Sequence, residues 1–526
     1  MPLAAVLVSP RRPQCLIAMK FILRLFPEIS IKSRPVRNRL IKVLTNNLFN
    51  VALHHNFALK VQAQWDKLIV SVGEDDAEAT RELAVRELSR VPGIHSFLEV
   101  KEFAFERFDD IFAVAGPIYG PQLENHTFAV RVRRRGNHPY NSQEASRIIG
   151  GMFKSHYPNK GVNLSAPDVT INIEIDQNKA FVITNKYKGM GGYPVGSQGA
   201  ALTLISGGFD SGVSTYKAIH RGMRVSYLFF NMGGTAHELG VKQESYFIWD
   251  RYASSHRVKF VTIPFEPIVG QILERTHHGV RGVILKRMMM RVGSKVAARL
   301  KCEALITGES VGQVSSQTVT NLNHIDAVSD CLVLRPLVME DKQDIVDKAK
   351  EIGTAGFAES MPEYCGVISD HPNVCPARSF VEEEEAKMDS SLVEAAVAAA
   401  VVMDIKDIPA NTSKLEEEVE IVHELMRGDV LLDVRAPDDA QKSPLVVAGH
   451  EVITLPFYKV ASEFGNLDNL KTYALYCDQG VMSLMQAREL KEKGYHNLKV
   501  YRPQDDSAAT SNNDAVNGNT EAVSRE

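Results

Sequence analysis

Two hydrophobic patterns divide the first 190 residues into short strands and helices. The segment KFILRLFPEISIK (20–32) alternates apolar and polar positions as a β-strand does, and SRPVRNRLIKVLTNNL (33–48) has the spacing of an amphipathic helix. The same patterns recur downstream and predict a helix at 78–94 and strands at 67–72, 97–103 and 127–136. This order predicts an α+β sandwich over residues 19–190, divided into subdomains at 19–80 and 81–190.

A different pattern begins near residue 191. Short apolar strands, ALTLI, VSYLFFN, KFVTIPF and EALITG, are separated by helical segments as far as residue 380, which is typical of a doubly wound parallel sheet. An acidic, alanine-rich stretch at 381–424 predicts a partly helical linker, and a last α/β unit follows at 425–503. The tail 504–526 has almost no large apolar residues and is predicted to be disordered. The fold class is therefore α/β multidomain.

Composition narrows the class of protein. At about 150 residues per domain, a chain of 526 residues predicts three or four domains, and its 44% hydrophobic residues and net charge of -4 describe a soluble globular protein. No apolar run approaches the roughly 20 residues that span a bilayer, and six scattered cysteines favour a reducing cytoplasm. Residues 1–18 place their arginines after an apolar run, the reverse of a secretory signal. We interpret them as an appendage before a true start at Met19.

The stretch LISGGFDSGV (204–213) predicts an anion-binding loop. It lies between an apolar strand and a helix, where unpaired N–H groups and the helix dipole attract phosphate. Small and hydroxyl residues allow close approach and add donors; they are Ser206, Gly207, Gly208 and Ser211. Without the lysine of a GxxxxGK[ST] loop, the stretch suits the pyrophosphate that leaves ATP, and Asp210 would hold magnesium or orient the transfer. A glycine turn without chemical consequence is the alternative.

A second strand, loop and helix, TYALYCDQGVMSLMQARELKEKG (472–494), places Cys477 just before a helix start. Backbone donors and the helix dipole would stabilise its thiolate as a nucleophile that could hold a persulfide. The negative charge of Asp478 would weaken that stabilisation. A buried cysteine at a strand end is the alternative, and for an isolated cysteine it is the better interpretation.

Longer motifs resemble a known family. SGGFDS resembles the SGGxDS signature of PP-loop ATP pyrophosphatases. VLLDVR (430–435) with the later cysteine loop resembles rhodanese domains. Many rhodanese loops carry an arginine beside the cysteine, whereas this chain has no basic residue between positions 477 and 487. From Met19 to Pro503 the chain resembles tRNA 4-thiouridine synthetases, on the matches LGVKQESYFIWDRY, GVILKRMMMR, TGESVGQVSSQT and MPEYCGVIS. The resemblance implies four modules: a ferredoxin-like domain at 19–80, a THUMP RNA-binding domain at 81–190, a PP-loop domain at 191–380 and a rhodanese domain at 425–503.

The resemblance also implies the chemistry. In the resembling family, ATP with Mg²⁺ adenylates a uridine in tRNA. A cysteine desulfurase then loads persulfide sulfur onto the cysteine that corresponds to Cys477. The cysteine that corresponds to Cys365 ends in a disulfide with it. Lys342 would neutralise charge on the transferring phosphate. The ATP contacts implied are Leu204, Ile205, Ser206, Gly207, Gly208, Ser211, Lys286, Gly308 and Gln317. For Lys286 and Lys342, a solvated lysine is the alternative.

Basic segments supply the candidate RNA contacts. One lies on the predicted strand RVRRRG (131–136) and the other on a basic helix, and the residues are Arg37, Arg131, Arg133, Arg134 and Arg135. A charged, solvated edge is the alternative. Cys365, His371 and Cys375 are close in sequence, but a fourth ligand is not evident and no metal site is predicted.

We therefore predict a cytoplasmic, ATP-dependent tRNA sulfurtransferase that does not associate with membranes. In the resembling family the rhodanese domain can also supply sulfur for thiazole synthesis, which would add a sulfur-carrier protein as a partner, and related enzymes suggest a homodimer. Two alternatives stay open: a sulfur carrier for thiazole synthesis alone, and a PP-loop synthetase acting on a small molecule.

Overall fold

Three β-sheets organise the chain. The computed structural model describes residues 7–8, 17–73, 77–232, 234–361, 371–411, 419–435, 440–441, 443–456, 459–460, 463–477 and 481–503. Cys365, Asp478 and the tail 504–526, to which the sequence analysis assigns features, lie outside these ranges, as do parts of the segments 1–18 and 381–424. Within the described ranges, no helix combines the length and the hydropathy needed to cross a membrane.

The first sheet runs through both N-terminal subdomains without a break. Its eight strands are β1 (Leu7–Val8), β2 (Ile17–Leu25), β3 (Leu59–Ala63), β4 (Lys67–Gly73), β5 (Ile94–Ala104), β6 (Phe128–Arg135), β7 (Val169–Asp176) and β8 (Lys179–Lys188). The helices beside them are α1 (Pro27–Ser30), α2 (Arg34–His54), α3 (Ala77–Ser89), α4 (Phe108–Tyr119) and α5 (Ser142–His156). The order is β1-β3-β4-β2-β5-β8-β7-β6, antiparallel except for the parallel pair β6–β7.

This sheet confirms the α+β prediction and corrects two of its boundaries. The expected divide after residue 80 falls inside α3, and β5 joins the two halves by pairing with β2 on one side and β8 on the other. Phe21 of β2 and Phe97 of β5 are fully buried in one core with their ring centroids 6.0 Å apart, so the start of β5 packs with the strands of the first subdomain. The segment interpreted as an appendage also contributes, because β1 pairs with β3.

The second sheet is the predicted doubly wound sheet. Its strands are β9 (Ala200–Leu204), β10 (Arg224–Asn231), β11 (Lys259–Pro264), β12 (Ala304–Ile306), β13 (Leu332–Leu334) and β14 (Val401–Asp404). Its helices are α6 (Phe209–His220), α7 (Gly234–Tyr252), α8 (Glu266–Arg275), α9 (Arg281–Arg299), α10 (Val319–Asp326), α11 (Lys342–Ile352), α12 (Ala355–Ser360), α13 (Arg378–Glu385), α14 (Leu392–Ala398) and α15 (Asp407–Asn411). The order β13-β12-β9-β10-β11-β14 is parallel except for β14.

Strand order reverses between β9 and β12, and ligands of such sheets bind in the crevice at that point. The expected linker needs correction here, because residues 401–404 form β14 and pair antiparallel with β11. Residues N-terminal to them are also fixed to this domain: Glu385 forms ion pairs with Arg287 and Arg291 of α9. The acidic residues that suggested a solvated linker are therefore partly neutralised by arginines distant in sequence.

The third sheet is the predicted C-terminal α/β unit. Its strands are all parallel in the order β15-β19-β18-β16-β17, and their bounds are β15 (Ile421–Val422), β16 (Val430–Asp433), β17 (Glu451–Thr454), β18 (Tyr473–Tyr476) and β19 (Leu498–Tyr501). Helix α16 (Val481–Glu492) follows β18. Short 3₁₀ helices complete the described elements at Gly120–Leu123, His278–Val280, Ser315–Gln317 and Phe464–Asn466.

Helix α7 contacts both neighbouring domains. Toward the N-terminus of the chain, His54 Nε2 lies 2.7 Å from Asp250 Oδ1, and Asn50 donates a hydrogen bond to the backbone oxygen of Ser255 just beyond the helix. Toward the C-terminus, the buried apolar core of the second sheet is continuous with that of the third. The helix is therefore positioned by both flanking domains.

Candidate active site

The loop between β9 and α6 has the geometry of an anion site. Gly207 has φ +88°, and Gly208 is the N-cap of α6 and has no side chain to cap the helix. The first N–H groups of the helix can therefore bond a ligand. Ser211 shapes the loop by accepting a hydrogen bond from Ser206 N at 3.3 Å and donating to Gly208 O at 3.0 Å. Ser211 thus holds the loop itself.

Residues outside the loop also hold it. His237 Nε2 lies 3.0 Å from the Ser206 oxygen, and burial lowers the pKa of His237, which favours a neutral ring that donates this bond. Ile205 is buried and its N–H bonds the Leu228 oxygen, whereas Leu204 is half-buried at the strand end. His237 was not found from the sequence, because nothing in its local pattern marks it as a loop contact.

Asp210 lies at the centre of a polar cluster. Lys342 Nζ is 2.8 Å from one of its carboxylate oxygens and Gln313 Nε2 donates to the other at 2.8 Å. A Cβ on Gly308 would lie 2.7 Å from the Asp210 carbonyl carbon, so only glycine allows the end of β12 to approach α6. The structure therefore brings together three residues singled out from the sequence, Asp210, Lys342 and Gly308, and adds Gln313.

Lys286 is not a solvated lysine. Its Nζ lies 2.8 Å from Glu309 Oε1, and Arg335 Nε lies 2.8 Å from the other oxygen of the same carboxylate. Burial opposes ionisation of Glu309, but the charges of Lys286 and Arg335 outweigh it and lower the pKa of this group. Gln317, at the end of the following loop, is buried, and its Oε1 has no hydrogen-bond partner among the described residues.

The C-terminal thiol sits where the sequence places it. Cys477 follows β18 directly, and the N–H of Ser483 in the first turn of α16 donates to its sulfur at 3.3 Å. The Ser483 hydroxyl is 3.4 Å away. The Cys477 side chain is buried. The predicted backbone donor is therefore present.

Met361 connects the loop to the segment that carries Cys365. Its sulfur occupies the space where a Cβ on Gly207 would lie, and its Cε would be 2.7 Å from a Cβ on Gly240 of α7. Cys365 itself lies outside the described residues, four positions after Met361 in the sequence. One turn further along α7, Gln243 accepts a hydrogen bond from Gln486 of α16 at 3.4 Å. Helix α7 therefore contacts the loop 204–213, Met361 and the domain that carries Cys477.

A basic cleft of about 1080 Å³ opens on the first sheet. The acidic side chain that lines it is Glu174, and its basic side chains are Arg24, Arg131, Arg133, Arg147, Lys154 and Lys186. Of the five arginines predicted from the sequence, Arg131 and Arg133 line this cleft. The other three do not line the cleft: Arg135 pairs with Asp66 at 2.7 Å, Arg134 bonds the Gly136 oxygen, and Arg37 lies over the Trp65 ring. Arg147 and Lys154 were missed, although their seven-residue spacing on α5 places them on one helix face.

Comparison with known proteins agrees with this architecture. The family model described as Thiamine biosynthesis protein (ThiI) matches residues 196–390, a THUMP domain matches 105–185 and a ThiI ferredoxin-like domain matches 20–97. The tRNA sulfurtransferases of Tolumonas auensis and Escherichia coli are 51% and 50% identical to this chain, each over 92% of it and over their own full length. The crystal structure of a 4-thiouridine synthetase–RNA complex with bound ATP shares its fold, with a TM-score of 0.65 and 23% identity over 74% of this chain and 99% of that one.

Proposed function

Because the chain belongs to the tRNA sulfurtransferase family, we propose that it makes 4-thiouridine in tRNA by adenylating a uridine with ATP and replacing the activated oxygen with persulfide sulfur. The observation that carries the proposal is that two functional parts meet at the loop 204–213, called the nucleotide loop below. Asp210 of this loop is bonded to Lys342 and Gln313. Met361, which precedes Cys365 by four positions, packs on the same loop. Activation and sulfur transfer then occur at one place.

The residues around the loop fit ATP. The N–H groups of the first turn of α6 suit phosphate oxygens, because the N-cap Gly208 has no side chain to bond them. The buried, unpartnered Gln317 Oε1 suits a donor such as the amino group of adenine. Mg²⁺, a cation that prefers oxygen ligands, would be held by Asp210 and would neutralise phosphate charge. Lys342 adds a second positive charge beside the same carboxylate.

The sulfur step needs both cysteines. We expect the C-terminal domain to act as a rhodanese, with a cysteine desulfurase transferring a sulfur atom to the Cys477 thiolate. The terminal sulfur of that persulfide bonds to the activated uridine carbon, and AMP leaves with the former uridine oxygen. The Cys365 thiolate then attacks the inner sulfur, which forms a Cys365–Cys477 disulfide and leaves the outer sulfur on the uridine. A reductant supplies two electrons to reopen the disulfide.

The basic cleft suits the tRNA backbone. Four arginines and two lysines surround a single glutamate, which gives the cleft a net positive charge in a chain whose overall charge is -4. Shape and phosphate contacts of this kind are the usual means of recognising folded RNA. An enzyme that amidates a small molecule would leave this cleft without a role. We place the reaction in the cytoplasm, where tRNA and reducing conditions coexist, and expect the enzyme to be a homodimer.

Replacing Asp210 tests the proposal. In Asp210→Ala the loop loses the carboxylate for Mg²⁺ and Lys342, so we expect 4-thiouridine formation to fall by about a hundredfold or more while persulfide loading of Cys477 is unchanged. Asp344→Ala, an exposed aspartate on α11, is the matched control and should keep full activity. Near-normal thiouridine in Asp210→Ala would show that this loop does not activate the uridine.

A second use of the same thiol is supported by the family description, which names thiamine biosynthesis. Cys477 would then also pass sulfur to a sulfur-carrier protein of thiazole synthesis, a reaction that needs neither Asp210 nor ATP on this chain. Cells that carry only Asp210→Ala should therefore lack 4-thiouridine but grow without added thiazole. A thiazole requirement in those cells would contradict the second use.

A further inference from the structure

The contact between α7 and α16 forms a buried seam beside Cys477. Gln486 Nε2 donates to Gln243 Oε1 at 3.4 Å, and both side chains are nearly inaccessible, with residue exposures of 3% and 4%. Tyr246, one turn further along α7, is also buried. Burial chiefly raises the pKa of Tyr246, and the nearby negative charges of Asp250 and Cys477 add to the effect. The phenol of the second domain and the thiol of the third belong to one continuous buried cluster.

We propose that this arrangement is the sulfur-delivering state, that Gln243 and Gln486 are the positioning residues that hold it closed, and that Cys477 takes up sulfur only after the seam opens. The inference rests on the proposed function for the identity of the sulfur donor. Its geometric basis is independent of that function, because Cys477 is only 7% exposed and the apolar cores of the two domains are continuous.

Access to the thiol explains why opening is required. In loading, the Cys477 thiolate attacks the outer sulfur of a persulfide on the donor protein, and the donor cysteine leaves as a thiolate. The two cysteines must approach within bonding distance, which brings the donor's own backbone against this surface. The thiol is buried beside Ser483 of α16 and belongs to the apolar core that the two domains share, so the closed arrangement does not admit a second protein. Loading by a donor protein therefore requires a position of the C-terminal domain different from the closed one.

The chemistry of the seam favours reversible closure. Gln243 Nε2 and Gln486 Oε1 are buried without hydrogen-bond partners among the described residues. Both atoms would be hydrated in an open state, so each unpaired group offsets part of the stabilisation that the apolar contact provides. Among the described residues, the Gln486–Gln243 hydrogen bond is long and leaves two polar atoms of the pair unpaired. This contact holds the two domains less firmly than a fully paired one would, as an interface that opens in every catalytic cycle requires.

Alkylation of the full-length chain tests closure without using its activity. Iodoacetamide labelling followed by peptide mass spectrometry reports the rate at Cys477, and exposed Cys375 serves as an internal reference. Removing the amide hydrogen bond in Gln243→Ala or Gln486→Ala should speed labelling of Cys477 by about three- to tenfold and leave Cys375 unchanged. Gln441→Ala, an exposed glutamine of the same domain, is the matched control. Unchanged Cys477 labelling in both seam variants would overturn the proposal.

Separate rates of loading and delivery test the assigned roles. We expect the seam variants to accept sulfur from a desulfurase at least as fast as the wild type, but to deliver it to adenylated tRNA several-fold more slowly in a single turnover. A merely destabilised protein would lose both rates together, and that result would contradict a positioning role. If the alanine variants do not fold, Gln243→Asn and Gln486→Asn shorten the side chains and keep the amides. No persulfide on wild-type Cys477 would refute the proposed function, while the labelling result would still decide whether the seam closes.

Discussion

Glu244 should make the stability of the protein fall as pH rises through the neutral range. The side chain lies on α7 with none of its surface exposed, and neither carboxylate oxygen has a hydrogen-bond partner among the described residues. It fills the space beside Gly212 in the first turn of α6. Burial raises the pKa of Glu244 from 4.5 to about 8. The folded protein therefore keeps a proton that the unfolded chain releases.

The direction and size of the effect follow from this difference. Between the unfolded and the folded pKa the native state binds more protons, so the free energy of unfolding decreases with pH. The decrease begins near pH 4.5 and levels off above pH 8, and a shift of 3.5 units limits it to about 5 kcal/mol at about 1.36 kcal/mol per unit. About 2 kcal/mol of that falls between pH 6 and pH 8.

Glu244→Gln isolates this contribution, because glutamine has the same shape and does not ionise. Chemical denaturation at pH 6 and pH 8, followed by tryptophan fluorescence, suits the measurement because Trp249 is fully buried on the same helix. We expect the variant to be more stable than the wild type at pH 8 and to lose about 2 kcal/mol less between the two pH values. Glu274→Gln, an exposed carboxylate on α8, should follow the wild type. Equal pH dependence in Glu244→Gln and the wild type would refute the reasoning.

Three further predictions concern the loop, the cleft and the thiols. Gly207→Ala places a side chain at φ +88° and in contact with Met361, so ATP affinity measured by calorimetry should drop by at least about tenfold. Gly270→Ala, in open space on α8, should bind ATP normally. Equal ATP affinity in the two variants would exclude the predicted collision. Arg147→Ala should weaken tRNA binding, and the slope of the logarithm of the binding constant against the logarithm of salt concentration should fall by about one. Arg107, which is exposed and paired with Asp109, is the control, and Arg107→Ala should change neither quantity. An unchanged slope in Arg147→Ala would show that the cleft is not part of the RNA site. One turnover without reductant should leave Cys365 bonded to Cys477 in a disulfide. Cys365→Ala should slow thiolation severely, and Cys375→Ala should change the rate little. A disulfide-linked Cys375–Cys477 peptide in the mass map would show that Cys375, and not Cys365, resolves the persulfide.

Local features of the site could be predicted from the sequence. The SGGFDS loop and Cys477 each lie within one strand, turn and helix, so a few neighbouring residues define both the backbone path and the ligand that suits it. The parallel sheet was predictable for the same reason, because β9 to β12 are short apolar runs separated by helical spacing.

Contacts between distant residues could not be predicted in the same way. The partner of Lys286 is Glu309, Gln313 reaches Asp210 from a separate loop, and Arg135 is paired with Asp66. Each pairing depends on the tertiary fold, and the local sequence is equally compatible with a side chain that is exposed to solvent. The same limit explains β14, whose pairing with β11 turned an expected linker into an edge strand of the central sheet.

Helix α7 is a single rod of 19 residues, about 28 Å long, and four parts of the protein contact it one after another along its length. His237 holds the nucleotide loop, Gly240 receives Met361, Gln243 meets the thiol domain and Asp250 meets the N-terminal domain. A helix tilts as a unit, so a displacement at any one attachment shifts the others. Substitutions along this rod should therefore disturb nucleotide use, sulfur delivery and RNA placement together, and a classification of variants by domain will not separate these defects.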